Sequence, residues 1–270
     1  MKIPVIDNVV PQKIDKNEIN CIYLPDKKNK EIYLIHDYNE FLDNFDFDRD
    51  SKNLYLEVRN LNKKLFEQNM ELFINGQQTS FDYKYRINKN SKEIKVKFKF
   101  KKILENTSFM FYKCNFLKSI DLSSFNSSNI DKMSCMFFNC SSLESINFTS
   151  FNTKKVKDMS KLFFNCFKLQ NINLKSFDTS NVNNMSSMFY NCSSLKSIDL
   201  SSFNTTKVSN MSDMFSLCYD LEYLNLSSFN TKNVTRLSDI FFQCFSLNRN
   251  KILINKKEEK ILNEIITNFS

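Results

Sequence analysis

The stretch NVNNMSSMFYNCSSLKSIDLSSFNT, Asn181 to Thr205, is one copy of a pattern that recurs every 26 residues. Cys114, Cys140, Cys166, Cys192, Cys218 and Cys244 mark the step. Phe125, Phe151, Phe177, Phe203 and Phe229 follow it, as do Leu117, Leu143, Leu169, Leu195, Leu221 and Leu247. Recurrence at a fixed period of this size points to stacked units, each too short to bury its apolar face alone.

Two periodicities alternate inside the unit. In Leu195-Lys-Ser-Ile198-Asp-Leu200 the apolar residues alternate with polar ones, which predicts a short half-buried strand. From Val182 to Cys192 the apolar residues Val182, Met185, Met188, Phe189 and Cys192 fall at steps of three and four, which predicts a helix of about three turns. Thr179, Ser180 and Asn181 precede that segment and are suited to cap it. The expected unit is strand, turn, helix, turn, with neighbouring strands paired in parallel.

At LxxIxL, and in the longer motif from Asn181 to Thr205, the chain resembles the 26-residue repeats of the BspA-like leucine-rich-repeat surface proteins, known from mycoplasmas, other bacteria and some protists. The resemblance covers roughly residues 107–250. It departs at Phe125, Phe151, Phe177, Phe203 and Phe229, which occupy the slot where ordinary leucine-rich repeats place a hydrogen-bonding Asn. The fold class expected is therefore α/β: a leucine-rich-repeat-like solenoid of strand–turn–helix repeats with a parallel sheet, behind an N-terminal β-rich capping domain. The expected divisions are 1–103 for that domain, 104–250 for the repeats and 251–270 for a C-terminal capping helix.

The first hundred residues lack the repeat. Strands are expected at Asn20–Leu24 and Glu31–His36, joined as a hairpin through Pro25–Lys30, and at Leu54–Val58, Glu71–Ile74, Phe81–Ile87 and Lys92–Phe100. Asn75-Gly76 between apolar runs signals a tight hairpin turn. A short helix is expected at Tyr38–Phe45 or Leu61–Asn69. At the other end Ile261, Leu262, Ile265, Ile266 and Phe269 share one helix face, with Asn255 as a possible cap.

Composition narrows the function. A single Gly in 270 residues argues against phosphate-cradling loops and dinucleotide fingerprints, which need several. A net charge of +8, spread along the chain, is too diffuse for a dedicated nucleic-acid binder. The start lacks a secretory pattern and no run is apolar enough to span a membrane, so a cytoplasmic location is expected, with the cell surface by an uncanonical route as the alternative.

Three groups of residues invite a chemical reading. The cysteine column lacks the paired spacing of zinc ligands, and free buried thiols acting as small apolar residues are expected, with no metal and no cofactor. His36, Asp37 and Cys21 would make a nucleophilic site only with an oxyanion hole that nothing in the sequence marks, so no catalytic residue is assigned. Lys95, Lys97, Lys99 and Lys101 lie along one side of a strand; the row could dock an acidic partner, a phospholipid head group or nucleic acid, but reads first as a solvated face or as protection of a sheet edge.

The outward strand positions are the sharper candidates for contact with a partner: Asp121, Asn147, Asn173, Asp199 and Asn225 in one row, with Tyr223 beside them. Such a row can also be merely wetted or hydrogen-bonded along itself. The functional expectation is a non-enzymatic protein-binding module using the concave sheet, with a small-molecule ligand disfavoured. The resemblance implies the alternative, a cell-surface adhesin or antigen.

Overall fold

The structure, a computed structural model, describes residues 16–25, 28–38, 49–88 and 91–269. In order these form β1 (Glu18–Tyr23), β2 (Glu31–Tyr33), α1 (Arg49–Asn69), β3 (Met70–Ile74), β4 (Gln77–Thr79), β5 (Lys84–Arg86), β6 (Ile94–Phe100), β7 (Leu117–Asp121), β8 (Ser145–Asn147), β9 (Ser197–Asp199), β10 (Tyr223–Leu226), β11 (Ile252–Ile254) and α2 (Glu259–Phe269). The largest sheet has the order β4-β3-β6-β1-β7-β8, and a second has the order β11-β10-β9.

The expected fold class is overturned. The protein is mixed α/β with two α-helices among the described residues, neither inside the recurring segment. Its six-stranded sheet is mostly antiparallel: β3 with β4, β3 with β6, β1 with β6 and β1 with β7. Parallel pairing between strands is confined to β7 with β8 and to β9, β10 and β11. Elsewhere only single parallel bridges join Asn106, Lys132, Asp158, Asn184, Asn210 and Arg236 in turn, so no parallel sheet of strands runs through all the units. The description as a leucine-rich-repeat solenoid is withdrawn with it.

The predicted helix from Val182 to Cys192 is a chain of turns. Ser187 and Asn191 have φ of 53° and 56°, in the left-handed region that ends a right-handed helix. Met188, Tyr190 and Cys192 donate three residues back, to the carbonyls of Met185, Ser187 and Phe189. The intervening N–H groups of Met185, Ser187, Phe189 and Asn191 donate instead to Asn210, Ser212, Met214 and Ser216, at 2.7–2.9 Å. Successive three-residue turns bury the same positions that a helix face would, which is why the periodicity misleads.

This donor pattern is repeated at the 26-residue step. Met133, Cys135, Phe137 and Asn139 donate to Asp158, Ser160, Leu162 and Phe164, and Met211, Asp213, Phe215 and Leu217 donate to Arg236, Ser238, Ile240 and Phe242. The rings of Phe111, Phe137, Phe163, Phe189, Phe215 and Phe241 stack in file, with centroids 5.4–6.1 Å apart. Such pairs contribute about 0.5–1.5 kcal/mol each beyond the area they bury. Each Cys thiol from Cys140 onward donates to the carbonyl of a Phe 29 residues earlier, as Cys166 does to Phe137 at 3.2 Å.

The phenylalanines that stand in the slot of the leucine-rich-repeat Asn stack in part. Phe125, Phe151 and Phe177 stack at 6.1 Å, and Phe203 and Phe229 are buried. The backbone along that corner is satisfied by a threonine column. Thr179 Oγ1 donates to Asn204 O and accepts from Asn204 N, and Thr205 does the same with Asn230.

Residues 171–173 form no strand and leave β8 unpaired on that side. The cause lies one column away, where Leu122, Leu174, Leu200 and Leu226 are matched by Phe148. Its larger ring packs against Phe137, Phe151, Phe163 and Phe177, a volume change that gives a physical reason for the missing strand, and Ile146 and Ile172 there are only half-buried.

The N-terminal region also departs from expectation. β1 and β2 are not a hairpin, because β1 lies between β6 and β7 while β2 pairs with β5. Leu54–Val58 belongs to α1, whose buried stripe is Tyr55, Val58, Asn62 and Phe66. The helix considered at Tyr38–Phe45 lies beyond Tyr38 outside the described residues, and the one at Leu61–Asn69 is the second half of α1. The Asn75-Gly76 turn joins β3 to β4 with φ of 50° and 86°, a conformation glycine adopts without a Cβ clash. His36 N donates to Met110 O at 2.9 Å and Tyr38 Oη to Ser108 O at 3.0 Å, so this region closes the carbonyl end of the first unit.

Candidate contact face

Alternation along β6 buries Ile94, Val96, Phe98 and Phe100 and turns Lys95, Lys97 and Lys99 outward. β1 buries Ile19, Cys21 and Tyr23 and presents Glu18, Asn20 and Ile22 on the same side. β7 and β8 add Ser119, Asp121, Ser145 and Asn147. Register joins them: Phe73 opposes Lys97, Lys97 opposes Asn20, Asn20 opposes Asp121, and Asp121 opposes Asn147. Five strands thus contribute one cross-strand row over a groove of about 600 Å³.

The lysines are partnered along this face. Lys99 and Lys97 reach Glu18 at 3.5 and 4.0 Å, Lys101 reaches Glu71 at 3.5 Å and Lys95 reaches Glu93 at 3.6 Å. Exposed pairs of this kind contribute about 0–1 kcal/mol each, so they set the charge pattern more than the stability. The Lys97 and Lys99 ammonium groups also lie 5.1 and 4.9 Å from the centre of the Phe73 ring. β6 is an interior strand, so protection of a sheet edge is not their role.

The Asp/Asn row divides. Asp121 and Asn147 are on the six-stranded sheet, Asp199 and Asn225 on the three-stranded one with Tyr223, and Asn173 on no strand. Each has a structural duty, since its Oδ1 accepts the backbone N–H two residues on: Ser123, Thr149, Lys175, Ser201 and Ser227 respectively. Asn147 Nδ2 also donates to Asp121 Oδ1 at 2.9 Å. The bonds to Ser201 hold the Asp199 carboxyl below its ordinary range. These side chains close Asx turns, which at Asp121, Asn147, Asp199 and Asn225 follow a strand. Two further Asx columns, containing Asn152 and Asn184, turn the other corners.

Sequence reasoning missed Asn20, Ile22 and Phe73. Their place on the face depends on pairing between β1, β3 and β6, and no local pattern reports it.

The possible nucleophilic set is not assembled. Cys21 is buried on β1 and its thiol is pushed well up by desolvation. His36 is buried with its Nε2 3.2 Å from Tyr55 Oη, among the rings of Tyr38, Tyr55 and Tyr112, and burial lowers it to about 3. None of the eight cysteines is in a disulfide, and all are buried. Among the described residues no group of three or more His, Cys, Asp or Glu is placed to hold a metal ion, and no helix is long and apolar enough to cross a membrane.

These features define a mixed α/β protein with a broad polar sheet face, attached to units locked together by turn-to-turn hydrogen bonds. Residues 78–197 and 167–269 match the family described as Mycoplasma protein of unknown function, DUF285, and the chain belongs to that family. No curated protein and no solved structure matches the chain.

Proposed function

We propose that the protein is a non-enzymatic protein-binding module whose contact surface is the outer face of the six-stranded sheet. The observation that carries this reading is the register row Phe73–Lys97–Asn20–Asp121–Asn147, which places an aromatic ring, a cation and amide groups across one groove. An aromatic anchor within a polar rim suits a protein surface. Asn20→Arg combined with Ser145→Arg adds bulk and charge to the groove and leaves the buried side of each strand and the Asx turns alone. In producing cells the wild-type chain is expected in complexes larger than itself, and the double variant in smaller complexes than the wild type with an unchanged melting temperature. Complexes of unaltered size in the double variant would sink the reading.

A second reading is a cell-surface adhesin or antigen, supported by the likeness of the Asn181–Thr205 motif to BspA-like surface proteins. Protease added to intact producing cells separates the two. Cleavage of the chain supports the surface role, and protection with release into the soluble fraction on lysis supports a cytoplasmic module.

A further inference from the structure

The two ends of the unit stack are closed differently. At the first unit, the carbonyls of Ser108 and Met110 receive Tyr38 Oη and His36 N. At the last unit, the counterparts of the donor row are the N–H groups of Leu237, Asp239, Phe241 and Gln243. In each preceding unit the four matching N–H groups meet carbonyls 25 residues further along the chain. For these four, no acceptor is found among the described residues. Asp239 and Gln243 nevertheless keep the left-handed φ of the ladder, 59° and 56°.

A second feature marks the same end. Phe242 and Phe245 flank Gln243 and are 45% and 76% exposed. Phe245 is the outer ring of a stack with Tyr219, centroids 5.6 Å apart and planes 8° from parallel. The column of Phe242 finishes at the other end in Tyr112, which is buried against His36 and Phe109. Helix α2 covers only part of the C-terminal end, through Phe269 on the ring of Phe241, Glu258 on Thr231 and Lys260 on the carbonyls of Thr231 and Val234.

We propose that this end docks a unit of the same 26-residue kind carried by a different polypeptide, which supplies a row of carbonyls to Leu237, Asp239, Phe241 and Gln243 and a side chain to Phe245. Hydrogen-bond polarity selects the occupant. Two copies of this chain meeting end to end would set donors against donors, and head-to-tail stacking is blocked because the carbonyl end is occupied by His36 and Tyr38. A foreign unit with an uncovered carbonyl row satisfies both conditions. This surface is separate from the sheet face, so either contact can fail without the other.

The probe is a synthetic peptide of residues Asn181–Thr205 carrying Cys192→Ser, added to the full-length 15N-labelled chain. Before addition, the amides of Asp239 and Gln243 should exchange at least tenfold faster than those of Asp213 and Leu217. With the peptide in excess they should slow at least tenfold. Phe242→Ser combined with Phe245→Ser should weaken binding at least tenfold while the fold is kept, the lost stack on Tyr219 lowering the melting temperature by only a few degrees. Absence of slowing at Asp239 and Gln243, or slowing confined to the sheet groove, would overturn the proposal.

Discussion

Replacing Lys161 by glycine and, separately, by alanine tests the turn ladder at one residue. Lys161 has φ of 54° and stands at the first left-handed position of its unit, equivalent to Ser187. Both substitutions remove the same ammonium and methylenes, so the difference between them isolates the Cβ atom. In the left-handed region a Cβ costs about 1–2 kcal/mol. Glycine's greater freedom in the unfolded chain offsets roughly 0.5–1 kcal/mol of the relief. The glycine variant should therefore be more stable than the alanine variant, by up to about 1.5 kcal/mol. In a helix the order reverses, with glycine about 1 kcal/mol worse than alanine. At about 2–4 °C per kcal/mol for a chain approaching this size, calorimetry resolves the two cases. A glycine variant that melts below the alanine variant would refute the turn assignment.

Other consequences follow from burial and packing. His36 is held neutral by burial, with its pKa lowered to about 3 from an unfolded value near 6.5, so its contribution is fully present above pH 6.5 and is lost as pH falls toward 3. His36→Gln should flatten the loss of stability between pH 6.5 and 4 relative to wild type, and parallel slopes would contradict this. Cys166→Asp places a charge in the thiol column and should lower stability by about 3–5 kcal/mol. Cys166→Ser, which can still donate to Phe137 O, should cost about 1–2 kcal/mol, and near-equal losses in urea titration would argue against the column. Phe148→Leu should raise amide protection at Ile172–Leu174 by letting the strand there pair, and unchanged exchange would refute a volume cause for the break.

The 26-residue period, the columns and the identity of nearly every buried side chain in them were legible, because a column of like residues must face the same environment in each unit. The local conformation was not. Val182, Met185, Met188, Phe189 and Cys192 satisfy a helix template, whereas left-handed residues such as Lys161, Ser187 and Asp213 carry no glycine to reveal them. In the N-terminal region Asn62 interrupts the apolar stripe of α1, and Leu54–Val58 alternates like a strand. The lysine row on β6 and the Asp/Asn row were each visible in sequence. Their union required β1 to pair with β6 and β7, whose residues lie about 70–100 positions away along the chain. The second duty of the Asp/Asn row, closing Asx turns, was consistent with the sequence without being demanded by it.

The claim that the sheet face is a contact surface is tested most directly by photo-crosslinking in producing cells, with a benzophenone side chain placed in turn at Asn20, Ile22, Asn147 and the distant corner residue Asn204. The account predicts one adduct of the same mass from Asn20, Ile22 and Asn147 and none of that mass from Asn204. Adducts from Asn204 alone, or no shared adduct among the three face positions, would contradict it.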